Sequence, residues 1–147
     1  MDNKLKSKTR LAAIQLVSQQ LVNSQDIENI KDDFDKHYRN TKIDNDSEKI
    51  QYNVNFLSKL VDYFKSVSVE NISKEINSII KFDREFKKWD TINKAIIFVA
   101  IGELRNSEKD KMKIILNDYI EVSKSFVGLK ETKLINSILD KLINEKK

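Results

Sequence analysis

The sequence predicts an all-α protein of about seven helices in two fused bundle-like halves. The chain of 147 residues contains only 2 Gly and no Pro, and strand-rich folds spend both on their turns. Apolar residues recur three and four apart almost from end to end, the period of a helix that buries one face. The interruptions are short polar stretches rather than long linkers, and there is no internal repeat. The length suits one domain over residues 1–147, with halves at about 1–66 and 67–147 and the seam in the polar stretch from Lys65 to Ser68.

Each element follows from its spacing. Leu11, Ile14, Val17 and Leu21 predict helix 1. Ile27, Ile30, Phe34 and Tyr38 predict a shorter helix 2, with Asp26 able to accept its first free N–H groups. The segment RNTKIDNDS from Arg39 to Ser47 reads as a loop. Ile50, Val54, Leu57, Leu60, Val61 and Phe64 mark helix 3; Ile72, Ile76, Ile79 and Ile80 mark helix 4. Asp90 or Thr91 can cap helix 5, INKAIIFVAIGEL, which is apolar on nearly all sides and is expected at the centre of the core. Met112, Ile115, Leu116, Tyr119, Ser123 and Phe126 mark helix 6, while Leu134, Ile135, Ile138, Leu139, Leu142 and Ile143 mark helix 7. At about 100° per residue, Asn136 falls at the edge of the helix 7 apolar arc, beside Ile143. It borders the core and does not interrupt it.

The formal net charge is +4. It is concentrated at the start, where Lys4, Lys6, Lys8 and Arg10 are opposed only by Asp2. A basic arm in front of a helix suits a phosphate backbone. General lysine richness is the competing explanation. With no Cys there is no disulfide and no Cys-ligated metal, as in a reducing cytoplasm. The first residues lack the apolar segment of a signal peptide. The longest apolar run, Ala95 to Ile101, is far below the roughly 18 residues that span a bilayer. A soluble, cytoplasmic protein without a membrane partner is expected.

Catalytic chemistry has little to stand on. The single His is His37, and Gly102 and Gly128 cannot build a phosphate-cradling loop. No acidic or His cluster has metal-ligand spacing, so no catalytic residue, metal or cofactor is expected, and the chain does not read as an enzyme. Glu103 is the exception among the carboxylates. It shares a face of helix 5 with Ile92, Ile96 and Val99, so it must be hydrogen-bonded or paired. Trp89, Tyr119 and Phe126 read as core or seam aromatics. Asn117, Glu121 and Lys124 share the opposite face of helix 6, either solvated or as a partner surface.

Three stretches resemble one family. TRLAAIQLVSQQL (Thr9 to Leu21) resembles the first helix of the NusB family, with Arg10, Ala13 and Gln15 in matching positions. WDTINKAIIFVAIGEL (Trp89 to Leu104) resembles its central helix, closing on Glu103 and Leu104. LNDYIEVSKSFVGLKETKLINSILDKL (Leu116 to Leu142) resembles its ending, through Asn117, Asp118, Glu121, Lys124, Phe126, Asn136, Leu139 and Asp140. The order holds over essentially the whole chain. The resemblance implies seven helices and a transcription antitermination factor. Such a protein is an adaptor that binds boxA-type single-stranded RNA with the ribosomal protein NusE, inside an RNA polymerase antitermination complex, notably at ribosomal RNA operons. Carried over by position, the implied RNA contacts are Lys4, Lys6, Lys8, Arg10, Ser18, Lys130, Lys133 and Leu134; the implied NusE contacts include Asn93 and Lys94. Monomers and homodimers both occur in the family.

The chain departs from the family at several of these positions. Ser18 stands for the family's helix 1 Tyr, and Leu134 stands for the aromatic that starts the last helix. Lysines largely replace an arginine-rich run, exchanging bidentate forks for point charges. Ser137 stands for the Gly after Asn136, the Pro before helix 6 is absent, and Lys130 stands for an acidic residue. These departures leave an alternative reading open: a NusB-like protein–protein scaffold with weak or lost RNA binding.

Overall fold

The computed structural model describes residues 1–39, 52–79 and 89–144. Among them run seven α-helices: α1 (Asn3–Asn23), α2 (Ile27–Arg39), α3 (Val54–Lys65), α4 (Val69–Ile79), α5 (Thr91–Arg105), α6 (Met112–Ser123) and α7 (Leu129–Asn144). A 3-10 turn, Lys109–Lys111, leads into α6. The all-α class is as expected, with no strand among the described residues. The expected loop over 40–47, Ile50 and Ile80 lie outside the described residues, as do the side chains of His37 and Tyr38.

The N-terminus differs from the expectation. The basic arm predicted ahead of the first helix forms its first two turns. The Asp2 carboxylate accepts the Leu5 N–H at 2.7 Å and caps the helix there, and lysine and leucine are good helix formers. At the other end the chain has no glycine to offer. Ser24 itself takes the left-handed conformation, with φ 55°, and donates its N–H to the Gln20 carbonyl.

Side chains also fix how the helices begin. Asp26 accepts the Glu28 N–H at 3.0 Å, as its position before α2 predicts. The Thr9 hydroxyl donates to the Leu5 carbonyl at 2.7 Å and accepts the Asn53 N–H at 2.9 Å. Asn53 in turn accepts the Phe56 N–H at 2.8 Å and caps α3. One buried hydroxyl of α1 therefore sets where α3 starts.

Helix α5 is the centre of the molecule. Every residue from Ala95 to Leu104 is buried, and α1, α3, α6 and α7 all pack on it. The core is a single cluster that crosses the seam between α3 and α4, including Leu57 and Leu60 on one side and Ile135 and Leu139 on the other. Gly102 permits the α3–α5 crossing. A Cβ there would stand 3.2 Å from the Tyr63 carbonyl carbon and 3.3 Å from its oxygen, both backbone atoms. Gly102→Ala is therefore expected to destabilise the fold by about 1–3 kcal/mol despite alanine's better helix propensity. Urea unfolding measures this, and an unchanged or raised midpoint would contradict the close approach.

Phe126 lies beyond the helix predicted to contain it. After Ser123 the chain tightens: the N–H groups of Ser125 and Phe126 bond the carbonyls of Val122 and Ser123, three residues back. Phe126 still packs on the core, as do Trp89 and Leu134.

Candidate nucleic-acid interface

Arg10, expected to face phosphate, points into the protein and is 6% exposed. Its guanidinium meets Glu103 in a two-pronged pair, Nε to Oε1 at 2.9 Å and Nη2 to Oε2 at 2.7 Å. The remaining prong, Nη1, donates to Asp118 at 2.6 Å. The Tyr119 hydroxyl donates to Glu103 Oε1 at 2.7 Å, and the Ser7 hydroxyl donates to Asp118 Oδ1. The rings of Phe56 and Tyr119 lie 5.4 and 5.5 Å from the guanidinium carbon. The expectation that Glu103 must be paired is thus met, and its partner is the arginine assigned to RNA.

The electrostatics follow from burial. Burial alone lowers the affinity of Arg10 for its proton, but the hydrogen bond and charge of Glu103 outweigh that and hold it above the usual arginine range. Burial, then the negative charge of Glu103, pushes the Tyr119 phenol well above its usual 10.0. A phenol that holds its proton more tightly in the fold contributes stability that is complete below about pH 10 and declines as pH rises further. Tyr119→Phe is expected to flatten that alkaline decline while costing about 1 kcal/mol at neutral pH for the lost hydrogen bond. Urea midpoints measured from pH 7 to 11 check both effects.

The remaining candidates sit at the surface. Lys4 and Lys8 are exposed and one helical turn apart on α1. Lys8 lines a shallow depression with Asp118 and Glu121 of α6 and Ser125 of the turn after it, and α7 begins four residues later at Leu129. Lys130 and Lys133 are exposed in the first turns of α7. Lys6 is half-buried and lines a different groove, with Phe56, Lys111 and the exposed Ile114. Ser18 is half-buried on α1, two turns beyond Arg10. Leu134 packs against the core. Neither residue offers a ring for stacking. Asn93 and Lys94 are half-buried in the first turn of α5. The Asn93 side-chain oxygen is buried without a hydrogen-bond partner among the described residues.

The side chains that sequence reasoning missed are Ser7 and Asp118. Both were visible as residues, but nothing local ties position 7 or 10 to position 118. Among the described residues no His, Cys, Asp and Glu cluster could hold a metal ion, and no helix is long and apolar enough to cross a membrane.

Comparison with known proteins gives the arrangement its family. The profile of the NusB family matches residues 7–144. The transcription antitermination protein NusB of Blochmanniella floridana is 34% identical over 110 residues, covering 72% of this chain and 78% of that protein. Its namesake in Shewanella frigidimarina is 31% identical over 90 residues, covering 58% of this chain and 67% of that protein. The Haemophilus influenzae (strain PittEE) protein of the same name is 37% identical over 84 residues, covering 54% of this chain and 58% of its own length. The match takes in α1, the central α5 and the α6–α7 hairpin together, and on that breadth the chain belongs to the NusB family.

Proposed function

We propose that the chain is a transcription antitermination factor that binds boxA-type single-stranded RNA together with a NusE-type ribosomal protein. It acts as an adaptor in the RNA polymerase antitermination complex, notably at ribosomal RNA operons. The observation that carries this reading is the lysine cluster in the first turns of α1, held in place by the buried Arg10, in a member of a family whose relatives are named antitermination proteins. Lys4, Lys6 and Lys8, with Lys130 and Lys133, supply a salt-dependent attraction for phosphates. Arg10 serves as their anchor and not as a phosphate ligand. Ser18 and Leu134 line the path without stacking. The start of α5, with Asn93 and Lys94, faces the protein partner.

The test is a titration of boxA-like single-stranded RNA, with and without the ribosomal protein. Binding should be weak alone, stronger with the partner, and steeply salt-dependent. No binding in either case at low salt would remove the reading. A second reading, the protein–protein scaffold, is favoured by Ser18 and Leu134, which leave no aromatic platform for bases. Retention of the ribosomal protein in a pulldown, with no dependence on RNA, would select it.

A further inference from the structure

The lysines of α1 and of the first turns of α7 leave unexplained a groove on another side of the α6–α7 hairpin. One rim carries Lys109 of the 3-10 turn with Lys113 and Asn117 of α6; the α7 rim carries Asn136, Asp140 and Asn144. Met112, Leu116 and Ile143 form an apolar floor. On α7, Lys133 stands one turn before Asn136 and Ser137 on the same face. The cations therefore continue from the start of α7 to the mouth of the groove.

We propose that this groove is a second binding segment for single-stranded RNA, a continuation of the path that enters at Lys130 and Lys133. It rests on the RNA-binding reading above. Three features select RNA as the occupant. Lys109 and Lys113 outnumber the one lining carboxylate, Asp140, which already accepts a hydrogen bond from Asn144. The side chains of Asn117 and Asn136 make no hydrogen bond within the described residues, so their donors and acceptors are available to base edges, which unpaired nucleotides expose. The floor is apolar and includes the adaptable thioether of Met112, able to pack against a base face. Asn136 thus gains a role beyond bordering the core: it reads a base at the edge of α7.

The experiment is a fluorescence-anisotropy titration of the 147-residue chain with a labelled boxA-like single-stranded RNA. It compares wild type, Lys109→Ala with Lys113→Ala, Asn136→Ala, and Lys4→Glu with Lys8→Glu. All the substituted side chains are exposed, so thermal midpoints should stay close to wild type. The Lys109/Lys113 pair should lose about tenfold in affinity at low salt, and its log–log salt slope should fall by roughly 1.4, the share of two phosphate contacts. Asn136→Ala should lose about fivefold with an unchanged slope, because an amide that reads a base releases no counterion. If the Lys4/Lys8 variant weakens binding while the groove variants match wild type, the groove is not an RNA segment and the function reading stands. If wild type itself binds no RNA, both fall. Groove variants that keep RNA affinity but lose the ribosomal protein would assign the groove to protein and overturn the proposal.

Discussion

Glu103→Ala is expected to destabilise the protein by roughly 3–5 kcal/mol, the scale for removing one partner of a buried ion pair. The reason is what remains behind. Arg10 is 6% exposed; it would keep only Asp118, and the Tyr119 hydroxyl would lose its acceptor. Arg10→Ala should cost a similar amount, because it strands Glu103 in the core. In a chain of this length such a loss lowers the thermal midpoint by about 10 °C. The double variant Arg10→Met with Glu103→Leu should cost clearly less than the sum of the two singles, since no charge is left unpaired between them. Urea unfolding followed by circular dichroism measures the cycle. Single losses below about 1 kcal/mol would mean that the pair behaves like an exposed one, contrary to its geometry.

Reversing Lys4, Lys6 and Lys8 to glutamate should lower affinity for boxA-like RNA by at least about 100-fold at low salt, with little change in stability, since two of the three are exposed. Substitution to alanine should remove about 0.7 from the salt slope per lysine that touches a phosphate. Arg10→Lys separates anchor from contact. The charge of Arg10 is already matched by Glu103 and Asp118, so the slope should not move even if affinity falls as α1 loosens. A slope that drops with Arg10→Lys would place the guanidinium on a phosphate. A triple glutamate variant that binds like wild type would remove α1 from the interface altogether.

Much of the fold was legible because helices announce themselves locally. The spacing in α3, α4 and α7 matches the buried residues Leu57, Leu60, Ile72, Ile76, Ile138 and Leu142. The apolar run of α5 placed it at the centre, as found. In α1 the pattern was harder to read, since Thr9 and Arg10 sit on its buried side among apolar neighbours. That polarity made the first ten residues look like an arm outside the core. The end of α6 was misread for a related reason: Phe126 keeps helical spacing with Tyr119 and stays against the core while the backbone has already tightened into a turn.

Sequence alone determined the helical class, the central position of α5, the need of Glu103 for a partner and the lysine excess at the N-terminus, because each depends on residue type and on spacing within a few turns. It also carried the family resemblance. Only the tertiary structure decided that Arg10 is that partner and that Asp118 and Ser7 complete the network. The same structure made Lys4, Lys6 and Lys8 part of α1 and left Asn117 of α6 and Asn136 of α7 facing one groove. Those outcomes join residues about a hundred positions apart. Local periodicity cannot encode which of two sites a single arginine will serve. Burial decides it, because a carboxylate enclosed by α1, α5 and α6 gains far more from that guanidinium than a solvated phosphate would.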